Sequence, residues 1–98
     1  MKVRVIWTSP ASLQLGALHA YVSESSFEAA DRQVAILLNA AATLADFPEK
    51  GRPGRRRGTR ELVVPGTPYI VAYRIRGATI EVLAVIHGAR RWLRSFGG

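Results

Sequence analysis

The chain has no cysteine, only two lysines and only two histidines in 98 residues. Without cysteine there is no disulfide framework, no thiolate metal site and no thiol nucleophile. The histidines, His19 and His87, stand far apart, and the seven carboxylates are spread thinly. No zinc cluster is expected from such a set, and no cofactor. Long apolar runs are missing as well. The opening "MKVRVIWTSP" is broken by charge and is too short for a signal peptide or a membrane span. The expectation is one cytoplasmic domain over residues 1–98, without membrane association.

What is present is arginine. Twelve of the fourteen basic residues are arginine, and the formal net charge is +7. Residues 1–49 carry −2 and residues 50–98 carry +9. That asymmetry points to a polyanionic partner, either a nucleic acid or an acidic protein segment. Arginine suits bidentate contacts to carboxylate or phosphate, although a GC-rich genome would enrich it too. Five arginines fall in "GRPGRRRGTR", from Gly51 to Arg60. The glycines of this stretch have no strand before them and no Lys-Ser/Thr after them, so it is not a phosphate-binding P-loop.

Hydrophobic spacing predicts the elements. "KVRVIW" alternates as a strand, with Val3, Val5 and Trp7 on its better-buried face. Ser9-Pro10 reads as a helix N-cap with proline at the first helical position. The helix after it places Leu13, Ala17, Leu18 and Tyr21 on one face. Ser25 with Glu28 reads as a capping box. Phe27, Ala30, Val34, Leu37, Leu38, Ala41 and Leu44 then recur at helical spacing until Pro48. Three strand-like runs, "RELVV", "YIVAYRI" and "TIEVLAVIH", are separated by a type II turn at Pro65-Gly66 and a hairpin turn at Arg76-Gly77-Ala78. The fold class is α+β in the order β-α-α-β-β-β, an antiparallel sheet with a helical hairpin packed on one face. On the last strand Ile80, Val82, Ala84 and Ile86 should share one side. Thr79, Glu81, Leu83 and Val85 should share the other. Two helices cover one face only, so the second is partly exposed apolar surface or is covered by another chain.

The chemistry is sparse. His87, followed by Arg90, Arg91 and Trp92, is a candidate acid or base for RNA cleavage, or a histidine bonded at a strand end. His19, between leucine and alanine, reads as a helix-boundary residue. Tyr69 and Tyr73 share a strand face and either stack on bases or fill core. Glu61 pairs with an arginine or, less naturally, serves as a base. Trp92 caps the sheet or anchors a partner.

The stretch "P-x-x-G-R-P-G…G-T-R-E-L-V-V…P-Y-I-V-A-Y-R-I…I-E-V-L-A-V-I-H-G-A-R-R-W" resembles the RelE/ParE superfamily of bacterial toxins. The strand, the helical hairpin and Pro48 just past it also match that family's order. The resemblance implies a toxin of a type II toxin–antitoxin pair, bound by a cognate antitoxin in a hetero-oligomer. The antitoxin's extended or helical segment would cover the remaining sheet face. It also implies a target: DNA gyrase in ParE-like members, or messenger RNA in the ribosomal A site in RelE-like endoribonucleases. Ile70 stands where the RNases carry an arginine, and their catalytic lysines fall near Glu61 and Val63. No tyrosine follows residue 73. These departures favour the ParE-like branch, without a catalytic site. The RNase alternative would rest on His87, Arg90 and Arg91. A non-toxic nucleic-acid-binding module is the third reading. The expected target- or antitoxin-binding residues are Arg52, Arg55, Arg56, Arg57, Arg60, Arg74, Arg90, Arg91 and Trp92.

Overall fold

The chain enters its first helix one residue earlier than the Ser9-Pro10 pair suggests. In the computed structural model, which describes residues 3–88, the cap is Thr8, in extended conformation. Its Oγ1 accepts from the Ala11 N–H at 3.4 Å and donates to the Val82 carbonyl at 2.7 Å. Thr8 thus ends strand β1 (Arg4–Trp7), starts helix α1 (Ser9–Ser23) and ties both to the middle of the sheet. Pro10 falls in the first turn, where no N–H is required.

The buried face of α1 differs from the expected one. Ala11 and Leu18 are buried and Leu15 packs against them, whereas Leu13 and Tyr21 are 75% and 72% exposed. Apolar residues surround this helix on most sides, so spacing alone does not choose a face. The choice is made by Gln14, whose Oε1 accepts the Val85 N–H at 2.8 Å and turns its side of the helix toward the sheet.

Helix α2 (Phe27–Ala42) is capped by Ser26 rather than Ser25, with the Ser26 Oγ accepting from the Ala29 N–H at 3.0 Å. Ala30, Leu37 and Ala41 are buried, and Leu44 extends the stripe through a 3₁₀ turn at Thr43–Ala45. Phe27 and Leu38 belong to the apolar pattern but face outward. No helix among the described residues is long and apolar enough to cross a membrane.

Strands β2 (Arg52–Pro53), β3 (Arg60–Val63), β4 (Tyr69–Arg76) and β5 (Thr79–His87) complete a five-stranded sheet of order β1-β5-β4-β3-β2. The α+β class and the helical hairpin on one face are as expected. The sheet, however, is mixed. β2 to β5 are antiparallel to their neighbours, while β1 lies parallel to β5, with Val5 opposite Ile80. The sequence shows the two hairpins directly but not the direction of β1, which the Thr8 contacts to Val82 set. The short β2, drawn from inside the arginine stretch, has no counterpart in the expected order. Its proline sits on an edge strand, where the missing donor does no harm. The turn before β4 is the expected one: Gly66 has φ +85 and the Thr67 N–H reaches the Val64 carbonyl at 3.2 Å.

A β-bulge revises the faces of β5. Ala72 pairs with Ala84 but Tyr73 pairs with Val82, so Leu83 has no opposite residue. Ile80, Val82 and Val85 therefore face the helices, together with Leu62, Val71 and Tyr73, and pack in one cluster with Leu37 and Leu44. Ala84 and Ile86 are turned to the other face, where they cluster with Ala72. The expected set of Ile80, Val82, Ala84 and Ile86 on one side is split by that single extra residue. The strip on the second face is also not open: Ala72, Ala84 and Ile86 are at most 3% exposed in the single chain. Apolar exposure on that face falls instead on Val63 and Ile6.

Tyr73 joins the core to the arginine stretch. Its fully buried ring lies among the helix-facing residues, and its hydroxyl donates to the Pro48 carbonyl at 2.7 Å and accepts from the Gly51 N–H at 2.9 Å. Burial pushes this phenol above its ordinary value of 10.0, against the opposing effects of the Gly51 N–H and Arg60. The neutral form is the one the fold favours, so its contribution is present below pH 10 and is lost as pH rises through the raised value. Tyr73→Phe keeps the ring and removes both bonds. It should lower stability by about 1–3 kcal/mol, seen as a lower urea midpoint at unchanged m-value.

Candidate functional site

The segment from Gly51 to Arg60 is a built hairpin. Gly51 passes so close to the sheet that a Cβ there would lie 2.8 Å from the Tyr73 ring and 2.9 Å from the Glu61 carbonyl. No other residue fits without displacing the tyrosine. Across the hairpin Arg52 stands opposite Glu61 and Pro53 opposite Arg60. The Gly54 N–H then reaches the Thr59 carbonyl at 2.8 Å, and Thr59 Oγ1 donates to the Arg56 carbonyl at 2.6 Å.

Glu61 is the electrostatic centre of this hairpin. It is 2% exposed. Its Oε1 accepts from Arg52 Nη2 at 3.1 Å and Nε at 3.3 Å, and its Oε2 accepts from the Arg55 backbone N–H at 3.2 Å. Of the two readings of Glu61, the arginine partner is the one realised. Arg60 points to the opposite face and donates to the carbonyls of Gly51 at 2.7 Å and Glu49 at 3.3 Å. Arg74 donates to Glu81, and Arg76 lies 3.7 Å from the same carboxylate. The Arg74 hydrogen bond, more than any other cause, holds the Glu81 carboxyl below its ordinary value of 4.5.

The nine expected binding residues thus divide. Arg52, Arg60 and Arg74 are engaged inside the chain. Arg55, Arg56 and Arg57 are exposed at the hairpin tip. Arg90, Arg91 and Trp92 lie outside the described residues. Arg76, absent from the expected set, is within reach of sequence reasoning. Counting back from the two-residue turn at Gly77-Ala78 puts Arg74 opposite Glu81, with Arg76 two residues along on the same face. The roles of Gln14, Gly51 and the Tyr73 hydroxyl have no comparable signal, because each depends on a contact across the fold.

His87 closes β5 opposite Tyr69, their rings edge to face at 5.6 Å. Together they line a cleft of about 770 Å³ between α1, α2 and the end of the sheet, with Gln14, Tyr21, Gln33 and Pro68. Gln33 Oε1 is enclosed there without a hydrogen-bond partner among the described residues. No arginine or lysine among the described residues lines this cleft. The RNase grouping of His87 with Arg90 and Arg91 extends outside the described residues. Of the two tyrosines, Tyr73 is core and Tyr69 lies at the cleft wall. His19 bridges the helices, its Nε2 2.8 Å from Asp31 Oδ1.

Residues 5–92 match the family described as the ParE toxin of the type II toxin–antitoxin system parDE. The chain belongs to the ParE toxin family. It is 42% identical over 89 residues to Y4kP of Sinorhizobium fredii, assigned as a toxin, covering 91% of this chain and 92% of that one. It is 33% identical over 87 residues to toxin RelE2 of Caulobacter vibrioides, covering 89% and 97%. Its fold is similar to the chromosomal ParDE system of P. aeruginosa, with a TM-score of 0.79 and 25% identity over 87% of this chain and 95% of that one. The toxin–antitoxin complex RelBE2 of Mycobacterium tuberculosis is similar at a TM-score of 0.66 and 26% identity, over 89% and 99%. The ParE-type chain is therefore a toxin of the RelE/ParE superfamily.

The two carboxylates of this toxin's basic half can be tested separately. Glu61→Ala should release Arg52 and the Arg55 N–H, costing about 1–3 kcal/mol. Amide exchange at Arg55 should accelerate more than at Val71, whereas Glu61→Gln, which keeps an acceptor, should have a smaller effect. For Glu81 the folded state favours the charged carboxylate. Its stabilisation is present above pH 4.5 and is lost as pH falls through the depressed value. Glu81→Gln should therefore flatten the acid limb of an unfolding-versus-pH curve below pH 4.5 relative to the unmodified protein.

Proposed function

We propose that this protein is neutralised by a cognate antitoxin and, when released, inhibits growth through DNA gyrase. The observation that carries the reading is the match to the ParE toxin family over residues 5–92. The antitoxin reading is supported by similarity to a ParDE system and to a RelBE2 complex, both toxin–antitoxin assemblies. On this chain an antitoxin segment has two kinds of surface to use. One is the exposed apolar set of Leu13, Tyr21 and Phe27 on the helices, of which Tyr21 also lines the cleft with Tyr69 and His87. The other is the cationic set beside the arginine hairpin, Arg74 and Arg76, with Arg90, Arg91 and Trp92 as further contacts. Buried apolar anchors would supply the affinity, and carboxylates facing arginines the orientation and rate of encounter.

One specific observation favours a second reading, ribosome-dependent cleavage of messenger RNA. His87 lies in a cleft beside a tyrosine, the setting a general acid or base requires. Against it, Ile70 stands where the RNases carry an arginine that could stabilise a cleaving phosphate. The gyrase reading needs no proton transfer and leaves His87 with a packing role.

Induced expression with and without the adjacent small gene tests both parts. Growth arrest relieved by that gene, with the two products co-purifying, supports neutralisation. Arrest with a DNA-damage response and intact messages supports gyrase, and prompt loss of translation with cut messages supports the RNase. His87→Ala, with antitoxin binding retained as a check of folding, should leave arrest nearly unchanged. If the histidine were the acid or base, cleavage and arrest would fall by about 10²–10⁴-fold.

A further inference from the structure

The arginine hairpin is one basic stretch in the sequence, but the fold makes it two parts. At the base, charge is used up internally. Glu61 takes Arg52 through Oε1, backbone carbonyls take Arg60, and Glu81 takes Arg74 and Arg76. At the tip the side chains of Arg55, Arg56 and Arg57 are exposed between Gly54 and Gly58. The Arg55 N–H is anchored on Glu61 Oε2 and the Arg56 carbonyl on Thr59, so the tip is held in place by its own backbone. Among the described residues neither the Arg55 nor the Arg57 guanidinium has an ion-pair partner. Both Glu61 oxygens are occupied, by the Arg52 side chain and the Arg55 backbone N–H.

We propose that this tip, with Arg55 and Arg57 as its principal contacts, binds the phosphodiester backbone of a nucleic acid. The choice over an acidic protein segment rests on what surrounds the charge. Protein interfaces are built on an apolar or aromatic centre depleted of charge. Residues 54–58 carry no apolar side chain; Pro53 and Ile75 lie lower, in a hollow with Thr59 and Arg60. Of the large exposed apolar groups, Leu13, Tyr21 and Phe27 are on the helices, Phe47 precedes the hairpin, and Val63 and Ile75 are on the strands beside it; none is at the tip. Narrow, preorganised, arginine-only projections suit phosphate, which each guanidinium meets with two parallel donors. The site is distinct from the apolar surface offered to an antitoxin, and it holds whichever target the toxin attacks.

The test uses the full chain and three labelled probes: a 20-base-pair DNA duplex, a 20-nucleotide single-stranded RNA and a 20-residue polyglutamate. Binding is followed by fluorescence anisotropy between 50 and 200 mM KCl. For the duplex, Arg55→Ala/Arg57→Ala should reduce the slope of log K against log salt by about 1.8, or about 0.9 for each phosphate no longer neutralised. Over that salt range the unmodified chain then loses about 12-fold more affinity than the variant. Arg4→Ala/Arg32→Ala removes the same charge from β1 and α2 and should leave the slope unchanged. Equal unfolding midpoints show that both variants are folded. The probe bound more tightly, duplex or single strand, identifies the nucleic acid. An unchanged slope in the tip variant, an equal fall in the control, or tighter binding of polyglutamate than of either nucleic acid would overturn the proposal.

Discussion

The Tyr73 hydroxyl holds together the parts of this molecule that differ most. Its ring belongs to the apolar core between sheet and helices, while its oxygen bonds the backbone at Pro48 and Gly51. Those two residues bracket the passage from the helical hairpin to the arginine hairpin. A buried hydroxyl between one donor and one acceptor is fully satisfied, and the same low dielectric that makes its loss costly makes its position definite. Without that clamp the arginine hairpin would keep its β2–β3 pairing and the side-chain contacts of Glu61 and Arg60, but would lose its bond to this core side chain.

The second organising device is economy of negative charge. The C-terminal half carries +9, with only Glu61 and Glu81 to oppose it. Each carboxylate is surrounded by donors on the sheet face away from the helices, and each is set opposite an arginine across a strand pair. Cross-strand pairing of this kind lets a very basic sheet fold without self-repulsion dominating its surface. It also separates the arginines paired with these carboxylates from those exposed at the hairpin tip.

The bulge at Leu83 is the third device. One extra residue moves Val85 into the core and Ala84 and Ile86 out of it, and it accompanies the capture of the Val85 N–H by Gln14. The same displacement leaves His87 on the helix side, opposite Tyr69, where it lines the cleft rather than the far face of the sheet. A residue beyond a bulge cannot be assigned a face by alternation alone, because the period of two is interrupted.

Local chemistry written in adjacent residues was legible without coordinates. The helical hairpin follows from apolar spacing and serine caps, each within one residue. The two tight turns follow from Pro65-Gly66 and from Arg76-Gly77-Ala78, the latter one residue shorter in the structure, where Arg76 pairs with Thr79. The toxin family follows from the stretch between Gly51 and Trp92. Tertiary structure alone decided the parallel direction of β1, the outward turn of Leu13 and Tyr21, the bulge, and the sorting of the arginines into engaged and exposed. The physical reason is common to all four. Each involves a hydrogen bond between separate elements: Thr8 to Val82 for β1, Gln14 to Val85 for the turn of α1 and for the bulge, and Arg52 to Glu61 for the arginines. Periodicity and propensity report what a segment can do by itself. Which of its groups are already taken is settled only when a distant segment arrives with the matching donor or acceptor.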